Sequence, residues 1–141
     1  MKNIKATVAV SAMLFAVTVH AQSNFGEVLD KGGKQLSKDE LQTLISGSLW
    51  QGTSENGITY KIDMKPDQTL NGTGTNARGS GAVTGTWNIT DRNQICTRLT
   101  LVNLNQTSES CRFLYQIDND YFASPTQSDR ARQVTKRTYT R

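Results

Sequence analysis

The sequence has few of the residue types on which most enzyme and metal chemistry depends. It contains one histidine, His20, with two cysteines and two prolines among 141 residues. Export with removal of residues 1–21 would leave no histidine, which excludes Ser-His and Cys-His nucleophile pairs and histidine metal ligands. Because no recognisable set of nucleophile and base is left, we expect a protein that is not an enzyme and has no metal or other cofactor.

An excess of one charge and long apolar runs are also lacking. The chain has 16 basic and 12 acidic residues, and without Lys2 and Lys5 the numbers become 14 and 12. A balance this close to neutral argues against a nucleic-acid partner. Since 35% of the residues are hydrophobic and 7% are aromatic, a large apolar cavity is not strongly indicated.

The amino terminus has the pattern of a secretory signal peptide. Lys2 and Lys5 precede an apolar run over residues 6–19, and Val19 and Ala21 occupy the two positions that a signal peptidase reads. The run is shorter than the ~20 residues that a membrane-spanning helix needs. We therefore predict cleavage after Ala21 and a periplasmic or secreted product without a stable membrane anchor.

In an exported chain the two cysteines predict one structural disulfide, between Cys96 and Cys111. Alternation of apolar residues, however, puts Cys96 on the face opposite Leu99, whereas Cys111 shares a face with Phe113. Directly paired residues share a face, so this pairing would put one strand's apolar residues on the wrong side. A β-bulge or a diagonal bridge would each resolve the conflict.

Residues 82–90 alternate as a half-buried strand does. Val83, Gly85, Trp87 and Ile89 lie on one side, and threonines and an asparagine lie on the other. A polar turn over 91–94 and a second apolar run over 95–102 complete an antiparallel hairpin. We predict that Trp87 is buried and that Gly85 marks a close approach or a bend in the strand.

Short runs of this kind, separated by turn residues, predict an all-β fold. The links are too short for crossover helices, so we expect an antiparallel meander that forms a small barrel or half-barrel. Residues 36–141 would be its single domain, and we expect a monomer. The eight predicted strands span residues 48–53, 58–64, 69–73, 82–90, 95–102, 111–117, 120–123 and 132–140.

One short helix is predicted before the strands. Ser37 followed by Glu40 is a capping box, and Leu41 and Ile45 lie on one face of a helix over residues 38–46. The polar residues 22–35 are interpreted as a flexible lead-in, and the glycine-rich residues 71–81 as a flexible hairpin tip.

Basic residues are concentrated at the carboxyl end, where Arg130, Arg132, Lys136, Arg137 and Arg141 face one acidic residue, Asp129. Two interpretations are open. The charges either line a final strand and protect an exposed sheet edge, or they form a patch for an acidic partner.

The order of these signals resembles a family of small exported proteobacterial β-domains of unknown function. The resemblance is carried by GKQLS at 33–37, KPD at 65–67, TGTW at 84–87, and a cysteine after that tryptophan with another later. It implies a periplasmic or secreted β-domain and no catalytic residues.

A more distant likeness is to lipocalins and their calycin relatives, which open with a short helix and a Gly-x-Trp on the first strand. Here Gly47 and Trp50 are separated by one residue more. The likeness implies that a late arginine, Arg132 or Arg137, packs over Trp50. Trp50 and Trp87 are then structural or ligand-facing residues, as are the two arginines.

Two functions follow from these patterns. The first is a non-catalytic domain that binds a small apolar or amphipathic ligand in the mouth of the barrel. The alternative is an envelope protein-interaction or inhibitor module that uses its loops or its basic carboxyl-terminal face. An enclosed apolar cavity of ~300 Å³ or more would favour the ligand-binding function, and a filled interior would favour a protein partner.

Overall fold

The computed structural model describes residues 23–141, so the predicted signal peptide and its cleavage after Ala21 lie outside the described residues. Two short α-helices, one 3-10 helix (η1) and nine strands make up this part of the chain. Within it, no helix is long and apolar enough to cross a membrane. The elements are α1 (Phe25–Asp30), β1 (Lys34–Gln35), α2 (Lys38–Ile45), β2 (Ser48–Thr53), β3 (Thr59–Met64), β4 (Thr69–Asn76), β5 (Gly79–Ile89), β6 (Ile95–Leu101), η1 (Val102–Leu104), β7 (Gln106–Ile117), β8 (Asp120–Ser124) and β9 (Thr135–Thr140).

Strands β2 to β9 form a closed antiparallel barrel. Each pairs with the next strand in the sequence, and β9 pairs with β2, where Trp50 lies opposite Tyr139. The predicted meander is therefore confirmed, and it is a closed barrel rather than a half-barrel. The ninth strand, β1, lies outside this cycle and pairs with the end of β7, with Gln35 opposite Tyr115.

The eight predicted strands are all present, but the glycine-rich segment differs from the prediction. Strand β4 continues to Asn76 and β5 begins at Gly79, so the hairpin tip is limited to residues 77–78. The glycines of 71–81 therefore lie within or at the ends of paired strands. At Gly72 a β-carbon would be 2.1 Å from the carbonyl oxygen of Lys61, so the neighbouring backbone comes too close for any side chain.

Gly85 likewise allows a close backbone approach, here between β5 and β6. A β-carbon there would lie 1.8 Å from the carbonyl oxygen of Arg98, on the facing strand β6. The predicted close approach at Gly85 is confirmed. Small residues at such points let strands coil tightly enough to close a narrow barrel.

Helix α2 begins at the predicted capping box. The Ser37 hydroxyl accepts from the Glu40 backbone N–H at 3.3 Å, and the Glu40 carboxylate accepts from the Ser37 N–H at 2.8 Å. The pKa of Glu40 is lowered to about 2. The main cause is the Lys34 ammonium, 2.9 Å from the same carboxylate, and the Ser37 N–H contributes less. Leu41 and Ile45 lie on the inner face of α2, where they are fully buried and close one end of the barrel.

Ser37→Ala is expected to lower the free energy of unfolding by ~1 kcal/mol, because the first turn of α2 loses an acceptor for an otherwise unpaired N–H. Denaturant unfolding of the two proteins measures the difference. Thr43→Ala, an exposed change inside the same helix that removes no cap, is the matched control. Equal stability of wild type and Ser37→Ala would mean that the cap does not hold the start of α2.

A second apolar core lies outside the barrel, beneath α1. Phe25 and Val28 of this helix pack against the outward side chains Phe113 and Tyr115 of β7, and the Phe25 and Tyr115 rings meet edge to face at 5.0 Å. Residues 22–35 were predicted to be a flexible lead-in, and for residues 23–35 that prediction is wrong. They contribute a capped helix that packs on the outer face of β7 and a strand that pairs with its edge.

The second core also resolves the disulfide conflict. The predicted disulfide between Cys96 and Cys111 is confirmed, and the two cysteines are direct register partners on the outer face of β6 and β7. Neither a β-bulge nor a diagonal bridge is needed. Phe113 and Tyr115 share the outward face with Cys111 because α1 covers that face, while Arg112 and Leu114 point into the barrel.

Candidate functional site

A cavity of about 320 Å³ opens at the end of the barrel opposite α2. Its walls come from the mouth ends of β2, β3, β6, β7 and β9 and from the β2–β3 loop. One side of the cavity is open. Within the described chain, residues 106–112 of β7 pair only with β6, because the pairing of β7 with β8 begins at Phe113. The opposite end of the barrel is filled by Ile45, Ile62, Met64 and Trp87.

Trp50 forms the floor of this cavity. It points inward from β2 and stacks on Tyr60 of β3, with ring centroids 5.6 Å apart and an interplanar angle of 28°. Burial raises the pKa of the Tyr60 phenol, which keeps it neutral over the physiological range. Leu99 of β6 adds an apolar wall, so the floor offers aromatic and aliphatic surface to a ligand.

Arg137 lies over the Trp50 ring, with Cζ 4.5 Å from the ring centroid. Closure of the barrel brings them together, because Arg137 on β9 is the register partner of Gly52 on β2. A β-carbon at Gly52 would lie 2.9 Å from the Lys136 carbonyl oxygen, which is too close, and in ordinary van der Waals contact with Arg137, at 3.5 Å from Cγ. The missing side chain at Gly52 therefore lets the backbones of β2 and β9 approach each other beside the arginine.

The two tryptophans differ in their hydrogen bonding. Trp87 Nε1 donates to the Lys65 carbonyl at 2.9 Å. Trp50 Nε1 is buried and has no hydrogen-bond acceptor among residues 23–141. It lies 3.4 Å from where a β-carbon of Gly52 would be, and Gly52 is one inward position nearer the mouth. The cavity floor thus contains an unused donor.

Arginines outnumber carboxylates at the mouth of the cavity. Glu55, in the β2–β3 loop, lies 3.8 Å from Arg112 of β7 and 3.6 Å from Arg132, which precedes β9. Arg137 is 9% exposed and forms no ion pair within the described residues. Burial lowers the pKa of Arg112, as do the charges of Arg137 and Arg132, whereas Glu55 raises it. The other carboxylate of the lining, Glu109, is paired with Arg98 at 3.3 Å, so the mouth has more positive than negative charge.

The residues singled out from the sequence fall in different places. Trp50 and Arg137 are together in the cavity, Arg132 is at its rim and contacts Glu55, and Trp87 lies in the filled core near α2. Sequence reasoning missed Arg112, Tyr60 and Glu55. Arg112 had a signal, because it alternates with Cys111 on β7 and a disulfide on the outer face would direct it inward.

The other basic residues near the carboxyl end are paired locally rather than collected in one patch. Arg130 contacts Asp30 at 2.6 Å, Lys136 contacts Asp120 at 2.9 Å, and Arg141 donates to a backbone carbonyl of α2. Strand β9 pairs with β2 on one side and β8 on the other. The interpretation of a final strand whose charges protect an exposed edge is therefore wrong.

Three larger depressions lie away from this mouth. One of about 590 Å³ is beside α2, one of about 600 Å³ is on the outer face of β2 and β9, and one of about 630 Å³ is between β1 and the start of α2. None of them contains the arginines that face Glu55. Among residues 23–141 no group of three or more His, Cys, Asp and Glu side chains could hold a metal ion.

The fold and the site define a small disulfide-braced antiparallel barrel with an arginine-rich cavity at its open end. No family model, no curated protein and no solved structure matches the chain.

Proposed function

We propose that the protein is an exported, non-catalytic binding domain that holds a small amphipathic ligand in the open end of its barrel. The observation that carries the proposal is the cavity of about 320 Å³, which lies at the lower end of the ~300 to 1,000 Å³ typical of small-molecule sites. It reaches the ~300 Å³ expected of a ligand-binding interior in volume, but it is open on one side and partly polar rather than enclosed and apolar. The rest of the barrel is packed with side chains.

The lining supports an amphipathic rather than a purely apolar ligand. Trp50, Tyr60 and Leu99 would pack against an aromatic or aliphatic body. The polar end of the ligand would meet arginines and hydroxyl groups around the mouth, including those of Thr97 and Ser110, which are 3.4 Å apart. An Arg137 that packs over Trp50 also agrees with the arrangement that the lipocalin likeness implies.

Export is supported by two independent features. The first 21 residues have the pattern of a signal peptide. The only two cysteines are joined in a disulfide, a bond that persists in oxidising compartments. We propose a periplasmic or secreted location and a monomeric barrel, without a nucleic-acid partner.

Binding of N-phenyl-1-naphthylamine, a neutral aromatic probe whose fluorescence rises in apolar sites, tests this proposal. We expect saturable binding of one probe per chain. Ser108→Trp places a large ring at a cavity-lining position of β7, and we expect it to weaken binding at least about tenfold by filling the cavity.

Thr107→Trp is the matched control, because it adds the same ring one residue away on the outer face of β7. It should leave binding unchanged. Leu104→Ser removes an exposed apolar side chain and controls for binding at the surface. Loss of binding in all three variants alike, or no saturable binding to the wild type, would contradict a ligand site in the barrel.

A second candidate is an envelope protein-interaction or inhibitor module that uses the loops at the mouth. The observation that favours it is the 3-10 helix η1, where Val102 and Leu104 are 49% and 61% exposed. The basic carboxyl-terminal face gives less support, because its charges are paired locally or buried. Under this alternative the neutral probe binds at η1, and Leu104→Ser weakens its binding while Ser108→Trp does not.

A further inference from the structure

The arginines at the mouth point to the chemical class of the ligand. We propose that the ligand carries an acidic oxyanion, such as a carboxylate or a phosphate, and that Arg112 and Arg137 bind this group. This proposal rests on the proposed function. We further propose that Glu55 is an internal anion that occupies the arginine site until the ligand displaces it.

Arg137 brings a positive charge without an anionic partner into the barrel. The residue as a whole is 9% exposed, and burying a charge is costly unless it is paired. No carboxylate of residues 23–141 lies within ion-pair distance of it. The Trp50 ring beneath it offers a cation–π contact, which offsets only part of the lost hydration. An acidic ligand group would supply the missing counter-charge.

Glu55 is held loosely between two arginines. Its contacts of 3.8 Å to Arg112 and 3.6 Å to Arg132 are longer than the ~2.7 to 2.9 Å of a charge-assisted hydrogen bond. One carboxylate thus lies between two guanidinium groups without a tight bond to either. A loosely held anion in front of an arginine site is a weak competitor that a better-placed oxyanion can replace.

The loop that carries Glu55 permits such a displacement. The turn is fixed at its base, where the Ser54 N–H donates to the Ile58 carbonyl at 2.8 Å, and the Ser54 hydroxyl reinforces the same contact. The Glu55 side chain, by contrast, is 33% exposed and reaches solvent. Rotation of this one side chain would open the site while the hairpin stays in place.

The remaining polar groups of the cavity also favour an oxyanion. Trp50 Nε1 is a buried donor without an acceptor, and the Arg112 and Arg137 guanidinium groups have donors but no acceptors. Two carboxylates line the cavity, and because Glu109 is paired with Arg98 at 3.3 Å, Glu55 is the one that faces these arginines. A ligand group with several acceptor oxygens would satisfy the guanidinium donors, whereas an amine would meet their positive charge.

The test compares two probes of the same shape. 1-Anilinonaphthalene-8-sulfonate is N-phenyl-1-naphthylamine with one added sulfonate. We expect the wild type to bind the sulfonated probe at least about tenfold more tightly, because the added charge meets partly desolvated arginines. This preference should decrease as sodium chloride is raised, whereas binding of the neutral probe should not weaken.

Single-residue variants locate the preference. Arg112→Gln and Arg137→Gln should each weaken the sulfonated probe about tenfold and leave the neutral probe within about twofold. Glu55→Gln, an isosteric change at a partly exposed position, should strengthen the sulfonated probe about fivefold, because a neutral amide competes poorly for guanidinium groups. Arg92→Gln and Asp91→Asn, both in the exposed β5–β6 turn at the opposite end of the barrel, are the charge-matched controls and should change neither affinity.

Displacement of the sulfonated probe by phenylacetate and by phenyl phosphate then separates carboxylate from phosphate ligands. Phenylacetamide, the neutral analogue, should not displace it.

Equal affinity for both naphthyl probes, unchanged by the arginine variants, would overturn the acidic-ligand proposal and leave the proposed ligand cavity unaffected. Weaker binding of the sulfonated probe to Glu55→Gln would overturn the role of Glu55. If neither probe binds in the mouth, the proposed function fails as well.

Discussion

Trp87→Ala is expected to lower the free energy of unfolding by about 3 to 5 kcal/mol, the usual cost of removing a buried aromatic side chain. Trp87 is 2% exposed and is among the largest fully buried side chains of the described chain. Its indole N–H also holds the carbonyl of Lys65, in the β3–β4 turn, at 2.9 Å. The substitution therefore leaves a cavity and a buried carbonyl without its donor.

Guanidinium unfolding followed by circular dichroism measures this effect. Thr86→Ala is the matched control, since it changes the neighbouring residue on the outer face of β5, and it should cost less than about 0.5 kcal/mol. Trp87→Phe should fall between the two, because the ring is retained but the bond to Lys65 is lost. A Trp87→Ala protein as stable as the control would show that Trp87 does not anchor the core.

The parts of the fold that were predicted correctly are encoded by neighbouring residues. Alternation along β5 identified the inward face because side chains of a strand point to opposite sides in turn. The capping box of α2 needs only Ser37 and Glu40, three residues apart. Short links between strands left an antiparallel meander as the remaining arrangement.

Helix α1 was missed although its signals are also local. Asn24 caps the helix by accepting from the Glu27 N–H at 2.9 Å, and Phe25, Val28 and Leu29 lie at helical spacing. Six residues make too short a helix for this periodicity to stand out in a polar segment. What stabilises α1 is packing on β7, and that contact exists only after the barrel has formed.

The candidate site could not be predicted for a different reason. Arg137 meets Trp50 because the last strand closes on the first, and Glu55 meets Arg112 because a loop and a distant strand share the mouth. No local pattern specifies which of several basic residues becomes buried. The lipocalin likeness left Arg132 and Arg137 as equal candidates, and the register of β9 against β2 places Arg137 over the ring.

Loss of the disulfide is the second large effect expected. A variant with both Cys96→Ala and Cys111→Ala should lose ~3 kcal/mol of unfolding free energy, because the bond closes a loop with a sequence separation of 15 and so restricts the unfolded chain. The cysteines are exposed or half-buried on the outer face, so little packing is lost with them. Chemical reduction of the wild type should reproduce the same loss of stability.

The position of the bond also predicts where the oxidised and reduced proteins differ locally. Residues 106–112 of β7 are held on one edge by β6, and in the described chain no strand pairs with their other edge, which borders the cavity. Cys111 ties this half of β7 to β6 close to where the pairing with β8 begins, two residues before Phe113 pairs with Ser124. Without the bond, the β6–β7 end should open more often than the rest of the barrel.

Hydrogen exchange on the oxidised wild type and the double-alanine variant measures this opening. We expect protection to fall first in residues 106–110 and in the facing part of β6, while strand β3, paired on both sides, changes only with global stability. Because Ser108, Ser110 and Arg112 line the cavity, the same variant should also bind the naphthyl probes more weakly. Uniform loss of protection across all strands, with probe affinity unchanged, would mean that the bond stabilises the barrel as a whole and does not brace its mouth.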